Sequence, residues 1–124
     1  MRNLQQLENE APIIQHALDL YKALYEDLKK FPKKDQYLLG KRCEDTMLDF
    51  LEYILLASSA SKDQKSRYLT IAAAKFDVLK VLLRVARELK VLDNKNYIAL
   101  QLRIQETGKM LGGWLRSVAI KTSA

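Results

Sequence analysis

Histidine and cysteine occur once each, as His16 and Cys43, in a chain of 124 residues. A single thiol closes no internal disulfide, and no Cys/His cluster stands at metal-ligand spacing. One imidazole with no companion nucleophile, and no glycine-rich phosphate loop, leave the familiar enzyme chemistries without their parts. Glycine (4) and proline (2) are also scarce. All-β sandwiches and barrels need a turn signal about every 8–12 residues, so they are excluded on that ground. No apolar run approaches the roughly 18–20 residues of a membrane span. The longest, Tyr53-Ile54-Leu55-Leu56-Ala57, runs straight into serines and charge. The opening Met1-Arg2-Asn3-Leu4-Gln5-Gln6 has no apolar core and no small-residue cleavage site of the secretory kind. The expectation is a cytoplasmic, non-enzymatic protein with Cys43 reduced, no cofactor, no metal and no membrane partner.

What is present is a chain 48% hydrophobic and 29% charged, enough for one packed core and too short for two. Four segments show helical periodicity. The first spans about 11–31, with Ile14, Leu18, Tyr21, Tyr25 and Leu28 recurring every three or four residues and Pro32 ending it. The second spans about 35–58, with Asp35 as N-cap and a stripe of Leu39, Cys43, Met47, Phe50 or Leu51, Ile54 and Leu55. Ser61 and Gln64 have capping-box spacing at the head of the third, about 62–91. Asp93 or Asn94 caps the fourth, about 94–120, whose apolar face includes Tyr97, Leu100, Ile104, Leu111, Trp114 and Val118. Short connections make neighbours antiparallel. The fold class is therefore all-α, an antiparallel up-down-up-down four-helix bundle over 11–120, with 1–10 an N-terminal extension and 121–124 a tail.

The third segment carries two adjoining apolar stripes. Leu69, Ala72, Phe76, Leu79, Leu83 and Ala86 form one, and Ile71, Val78, Leu82, Val85 and Leu89 the other. A surface helix needs a single stripe about 100° wide. The spare stripe points to burial on two sides, in the bundle centre or between subunits, and so to a homo-oligomer. In the fourth segment Gly108, Gly112 and Gly113 each cost about 1 kcal/mol against Ala. Close approach of a neighbouring helix would repay them, with Trp114 in the core beside it.

The net charge is +6, and it is unevenly placed. Residues 1–62 hold 9 Lys and Arg against 10 Asp and Glu, while residues 63–124 hold 12 against 5. A polyanion is one partner such asymmetry serves; plain solubility is the other reading. Lys80, Arg84 and Arg87 share a face between the two stripes of the third segment. Packed subunits would turn that face into a basic groove or channel for phosphates; a lone bundle would leave it a solvent stripe paired with Asp77 and Glu88. Lys29, Lys30, Lys33 and Lys34 cluster at the first turn, more ordinary for solubility than for recognition. The carboxylates Glu44, Asp45, Asp49 and Glu52 read as a solvated face, and His16 as a surface or boundary residue. The six tyrosines sit at core spacing without the aromatic pattern of an RNA-recognition sheet. Binding to RNA or DNA would follow backbone and shape, without sequence preference.

Five strings occur in order: Phe31-Pro32-Lys33-Lys34-Asp35, Leu39-Gly40-Lys41-Arg42, Leu51-Glu52-Tyr53-Ile54-Leu55-Leu56-Ala57, Leu79-Lys80-Val81-Leu82-Leu83-Arg84-Val85-Ala86 and Gly108-Lys109-Met110-Leu111-Gly112-Gly113-Trp114-Leu115. Together they resemble the accessory variability determinant (Avd) family of diversity-generating retroelements over about residues 12–118. They also resemble the four-helix proteins encoded in intervening sequences of bacterial 23S ribosomal RNA genes. The Avd resemblance implies a four-helix bundle assembled into a barrel-like homopentamer with a basic surface and channel. It implies a reverse transcriptase partner, template RNA and DNA as ligands, support of cDNA synthesis and mutagenic retrohoming, and no catalytic site. On the same resemblance Lys80 and Arg84 match basic positions of the third helix, and the first-turn lysines match a less regular basic region; Lys80 and Arg84 are expected to carry the phosphate contacts, with Arg87, Lys33 and Lys34 contributing less. Lys rather than Arg at 80 replaces a planar fork by a point charge. The ribosomal resemblance implies instead a self-assembling bundle with a structural or RNA-associated role and no polymerase partner.

Overall fold

The computed structural model describes residues 2–123. Its helices are α1 (Leu4–Glu10), α2 (Ile13–Leu28), α3 (Lys33–Asp35), α4 (Lys41–Ser59), α5 (Lys62–Glu88) and α6 (Asn94–Ser123), with a π-helical turn, Gln36–Gly40, joining α3 to α4. The described residues include no strand. Residue 124 of the expected tail lies outside them. The protein is all-α: α2, α4, α5 and α6 form a helical bundle in which α2 and α5 each lie beside both α4 and α6.

Local chemistry explains the boundaries. Asn3 opens α1 with a capping box: its side chain accepts from the Gln6 amide, and the Gln6 side chain accepts from the Asn3 amide, both at 2.9 Å. Residues 4–10 thus gain a helical turn that hydrophobic periodicity did not signal. α2 ends at Leu28, three residues before the expected end, because the chain must turn ahead of Pro32. The Gln36 side chain donates to the carbonyls of Lys29 (2.9 Å) and Phe31 (2.8 Å), satisfying acceptors that the end of α2 leaves open. The Ser61–Gln64 capping box does not form; the Ser61 side chain makes no cap bond, and the Gln64 amide donates to the Ser61 carbonyl instead. α5 stops at Glu88 because Lys90 takes φ 62°, the left-handed conformation that ends helices. Asp93 caps α6, its carboxylate accepting from the Asn96 amide at 2.7 Å.

The core runs the length of the bundle. Leu20 and Leu24 of α2, Met47, Phe50 and Ile54 of α4, Phe76 and Leu79 of α5, and Leu100 and Ile104 of α6 are all but inaccessible. Each is worth about 1.5–3 kcal/mol on burial. The Phe50 and Phe76 rings, centroids 4.5 Å apart, join α4 to α5. Trp114 departs from expectation. It is half-buried at the rim, beside Ala11, Pro12, Ile13 and Met110, and does not fill the core. The glycine expectation also fails within one chain. A Cβ on Gly108 would make an ordinary 3.6 Å contact with Phe76, and Gly112 and Gly113 would meet only Arg116 of their own helix.

Candidate nucleic-acid interface

α5 positions the basic face. Its first stripe, Leu69, Ala72, Phe76, Leu79, Leu83 and Ala86, is fully buried and orients the 27-residue helix. Lys80, Arg84 and Arg87 then fall on the flank turned toward α6. Lys80 stays exposed, its ammonium 3.2 Å from Asp77 and 5.2 Å from the centre of the Phe76 ring. Arg84 is also exposed and donates to Glu88 at 3.0 Å. Both pairs lie on the helix surface, where such pairs contribute about 0–1 kcal/mol and are readily exchanged. A phosphate can therefore displace Asp77 or Glu88, although those acids weaken the local field.

Arg87 behaves differently. Its guanidinium lies 4.4 Å from the Tyr97 ring centre and is half-buried between α5 and α6. The cation–π contact is part of the helix–helix packing, so the structure does not offer this guanidinium freely to a ligand. Spacing alone placed it with Lys80 and Arg84; only the fold brings Tyr97 across it. Lys33 and Lys34 stand exposed on α3, at the end of the bundle and outside the α5–α6 groove. The expected site is thus divided. Lys80 and Arg84 share one face, Arg87 is engaged in packing, and Lys33 and Lys34 lie elsewhere.

The groove between α5 and α6 has a volume of about 400 Å³ and is lined by Lys80, Gln101, Ile104, Gln105, Gly108 and Lys109. Lys109 is exposed and makes no ion pair with any described residue. Sequence reasoning missed it as a site residue. Its signal was its place on α6, four residues beyond Gln105 and off the buried Ile104–Leu111 line. The small Gly108 leaves the groove floor open beside it.

The outer face of α5, opposite the core, is apolar. Val78 and Val85 are 40% and 37% exposed, Val81 and Leu89 61% and 63%. Ile71 and Leu82 of the expected second stripe are half-buried within the chain, and Val81 joins it.

The other singled-out groups have structural roles. Glu44 accepts from the Tyr21 hydroxyl at 3.1 Å, Asp45 pairs with Lys41 and Asp49 with Lys75, each at 3.4 Å. Glu44 and Asp49 tie α4 to α2 and α5 more than a plain solvated face would, while the Asp45 pair lies within α4. His16 lies 3.9 Å from Glu106 across α2 and α6. Cys43 is fully buried, and burial pushes its thiol up to about 12, which keeps the nucleophilic thiolate out of reach. Among the described residues no three His, Cys, Asp or Glu side chains gather as a metal site requires, and no helix is long and apolar enough to cross a membrane.

A family model described as bAvd-like matches residues 13–118, from the first residue of α2 to the last buried valine of α6. No curated protein matches the chain.

Proposed function

The chain belongs to the bAvd-like family, and from that premise we propose that it is a non-catalytic accessory protein of a diversity-generating retroelement. In this reading it is a cytoplasmic homo-oligomer, a pentamer by family analogy. It binds the reverse transcriptase and the template RNA or DNA, without strong sequence preference, and so supports cDNA synthesis for mutagenic retrohoming. The observation that supports the nucleic-acid part is the α5–α6 groove, where Lys80 and Lys109 stand exposed in the lining and Arg84 stands exposed one turn along α5 from Lys80, in a chain whose second half holds the excess positive charge. Phosphate contacts of this kind fix position and carry no base code. Few charges per chain give weak attraction, but repeating them around a closed ring raises the effective concentration of each site for the next phosphate.

The test is charge reversal. Lys80→Glu with Arg84→Glu places four carboxylates along one helix face, Asp77 and Glu88 included. Affinity for a mixed RNA pool at about 150 mM salt should fall at least about tenfold, and the log–log salt slope should flatten as phosphate contacts are lost. Helicity should stay unchanged, because both side chains project from the core. Binding by the double variant as tight as the parent's would overturn the groove assignment. Co-purification of the parent with a reverse transcriptase encoded beside it separates this reading from the ribosomal intervening-sequence one.

A further inference from the structure

The end of the bundle where α2 turns into α4 has chemistry that the groove lacks. Two tyrosines, Tyr25 on α2 and Tyr37 in the π-turn, flank a cleft of about 290 Å³ between those helices, with Lys29, Gln36 and Lys41 on its walls and Gly40 in its lining. Tyr37 is 68% exposed and Tyr25 45% exposed. Among the described residues the Tyr37 ring makes no ring contact and its hydroxyl no hydrogen bond. Tyr25 already has a cation over its ring, the Lys29 ammonium 4.8 Å from the centroid. Glu44 also lines the cleft, but the Tyr21 hydroxyl donates to one of its carboxylate oxygens.

The support beneath Tyr37 is costly and rigid. A π-turn is rare and concentrates at functional positions. Here it adds a residue to the helical path, so that Tyr37 and Leu38 project outward while Gly40 is buried. The chain closes tightly at that point: a Cβ on Gly40 would lie 3.2 Å from the Asp35 carbonyl oxygen and 3.5 Å from the Phe31 ring. Gln36, bonded to two carbonyls of the preceding turn, holds the same segment. Around it the cations are free or held only in exposed pairs. Lys33, Lys34 and Arg42 make no ion pair among the described residues, and the pairs Lys29–Glu26 and Lys41–Asp45 are exposed ones at 3.3 and 3.4 Å.

An exposed ring carried on a tightly closed turn, with lysines lining the same cleft, is what an unpaired base with its phosphates requires: stacking on the π face and charge for the backbone. The bases of a duplex stack on one another and present no free face. From this we infer that the Tyr25–Tyr37 cleft is a second nucleic-acid site, one that takes an unpaired nucleotide of single-stranded RNA or DNA. It lies between α2 and α4, on the opposite side of the bundle from the α5–α6 groove, and it rests on the nucleic-acid reading of that groove.

The experiment compares a single-stranded RNA with a duplex of the same sequence, both carrying 2-aminopurine, on the full chain and on Tyr37→Ala and Tyr37→Phe. Tyr37 is 68% exposed and makes no hydrogen bond or ring contact among the described residues, so both variants should keep the fold, which circular dichroism checks. Tyr37→Ala should weaken single-strand binding about tenfold, as expected for loss of a base–aromatic stack. It should abolish the quenching of 2-aminopurine that stacking on the parent causes, leave duplex affinity within twofold, and be rescued by Phe. Unchanged single-strand affinity and quenching in Tyr37→Ala, with duplex binding intact, overturn this inference and leave the groove standing. A parent that binds neither RNA overturns both. Loss of reverse transcriptase capture in Tyr37→Ala with single-strand binding unchanged assigns the cleft to a protein partner and overturns it as well.

Discussion

Asp27 is the residue at which burial and charge conflict. It lies on the inner face of α2, 9% exposed. Burial is the first cause that raises its carboxyl above the usual range, with Asp93 and Glu26 adding to it and the Lys30 ammonium, 3.9 Å away, opposing it. A carboxyl whose folded value is raised binds its proton more tightly in the native state. Its contribution to stability is therefore best below the ordinary value of 3.8 and worsens as pH rises through the folded value. Asp27→Asn removes a charge that the fold disfavours. The variant should be the more stable of the two in urea unfolding at pH 7, and the difference should close as pH falls toward 3.8; a difference independent of pH would show that the charge is immaterial. Residue by residue, the sequence was informative where one helix decides the outcome. Cys43 on its stripe is buried, and Phe50, Phe76 and Leu79 are core. Trp114 misled, and the partner of Arg87 was not legible, because their surroundings come from other elements: the start of α2 in one case, Tyr97 of α6 in the other.

At the scale of elements, two glycines in helical segments carry opposite requirements. Gly108 lies within α6, where glycine costs about 1 kcal/mol against alanine, and a Cβ there would make an ordinary 3.6 Å contact with Phe76. Gly108→Ala should raise the unfolding free energy by about 0.5–1 kcal/mol. Gly40→Ala should lower it, because the new methyl meets the backbone oxygen of Asp35 at 3.2 Å inside the π-turn, and a carbonyl cannot swing aside as a side chain can. Thermal or urea unfolding of the two variants checks the pair, and equal signs would refute the argument. The long helices were legible because their stripes are strongly periodic, including the doubled stripe of α5. The π-turn was not. One extra residue between Asp35 and Lys41 is no larger than the ordinary alternation of three and four, so Leu39, Cys43 and Met47 still read as an unbroken α-helix. Gly40 was the available signal, a buried position that needs a missing side chain.

For the whole molecule, the outer face of α5 decides whether the bundle stands alone. Val78, Val81, Val85 and Leu89 recur every three or four residues on the side away from the core, and two of them are more than 60% exposed. A contiguous apolar row of this kind on a lone chain marks an interaction surface. A second copy of the chain covers it most economically, because a head-to-tail contact that closes into a ring buries the row on every subunit at once. Lys80 and Arg84 border the same face, so assembly would bring basic groups from neighbouring subunits together. The expected outcome is a light-scattering mass several times 14.3 kDa at micromolar concentration, about fivefold if the family's pentamer holds. Val81→Glu with Leu89→Glu should reduce the mass to one chain. The helical content should be retained, because neither side chain contributes to the core of the protomer. RNA affinity should fall with the mass even though Lys80, Arg84 and Lys109 are untouched, since each chain would then act with its own few charges. A parent that scatters as a single chain would remove the ring, and with it the multiplication of weak phosphate contacts on which tight binding depends. A double variant that keeps the parent's mass would place the subunit contact on another face of the bundle.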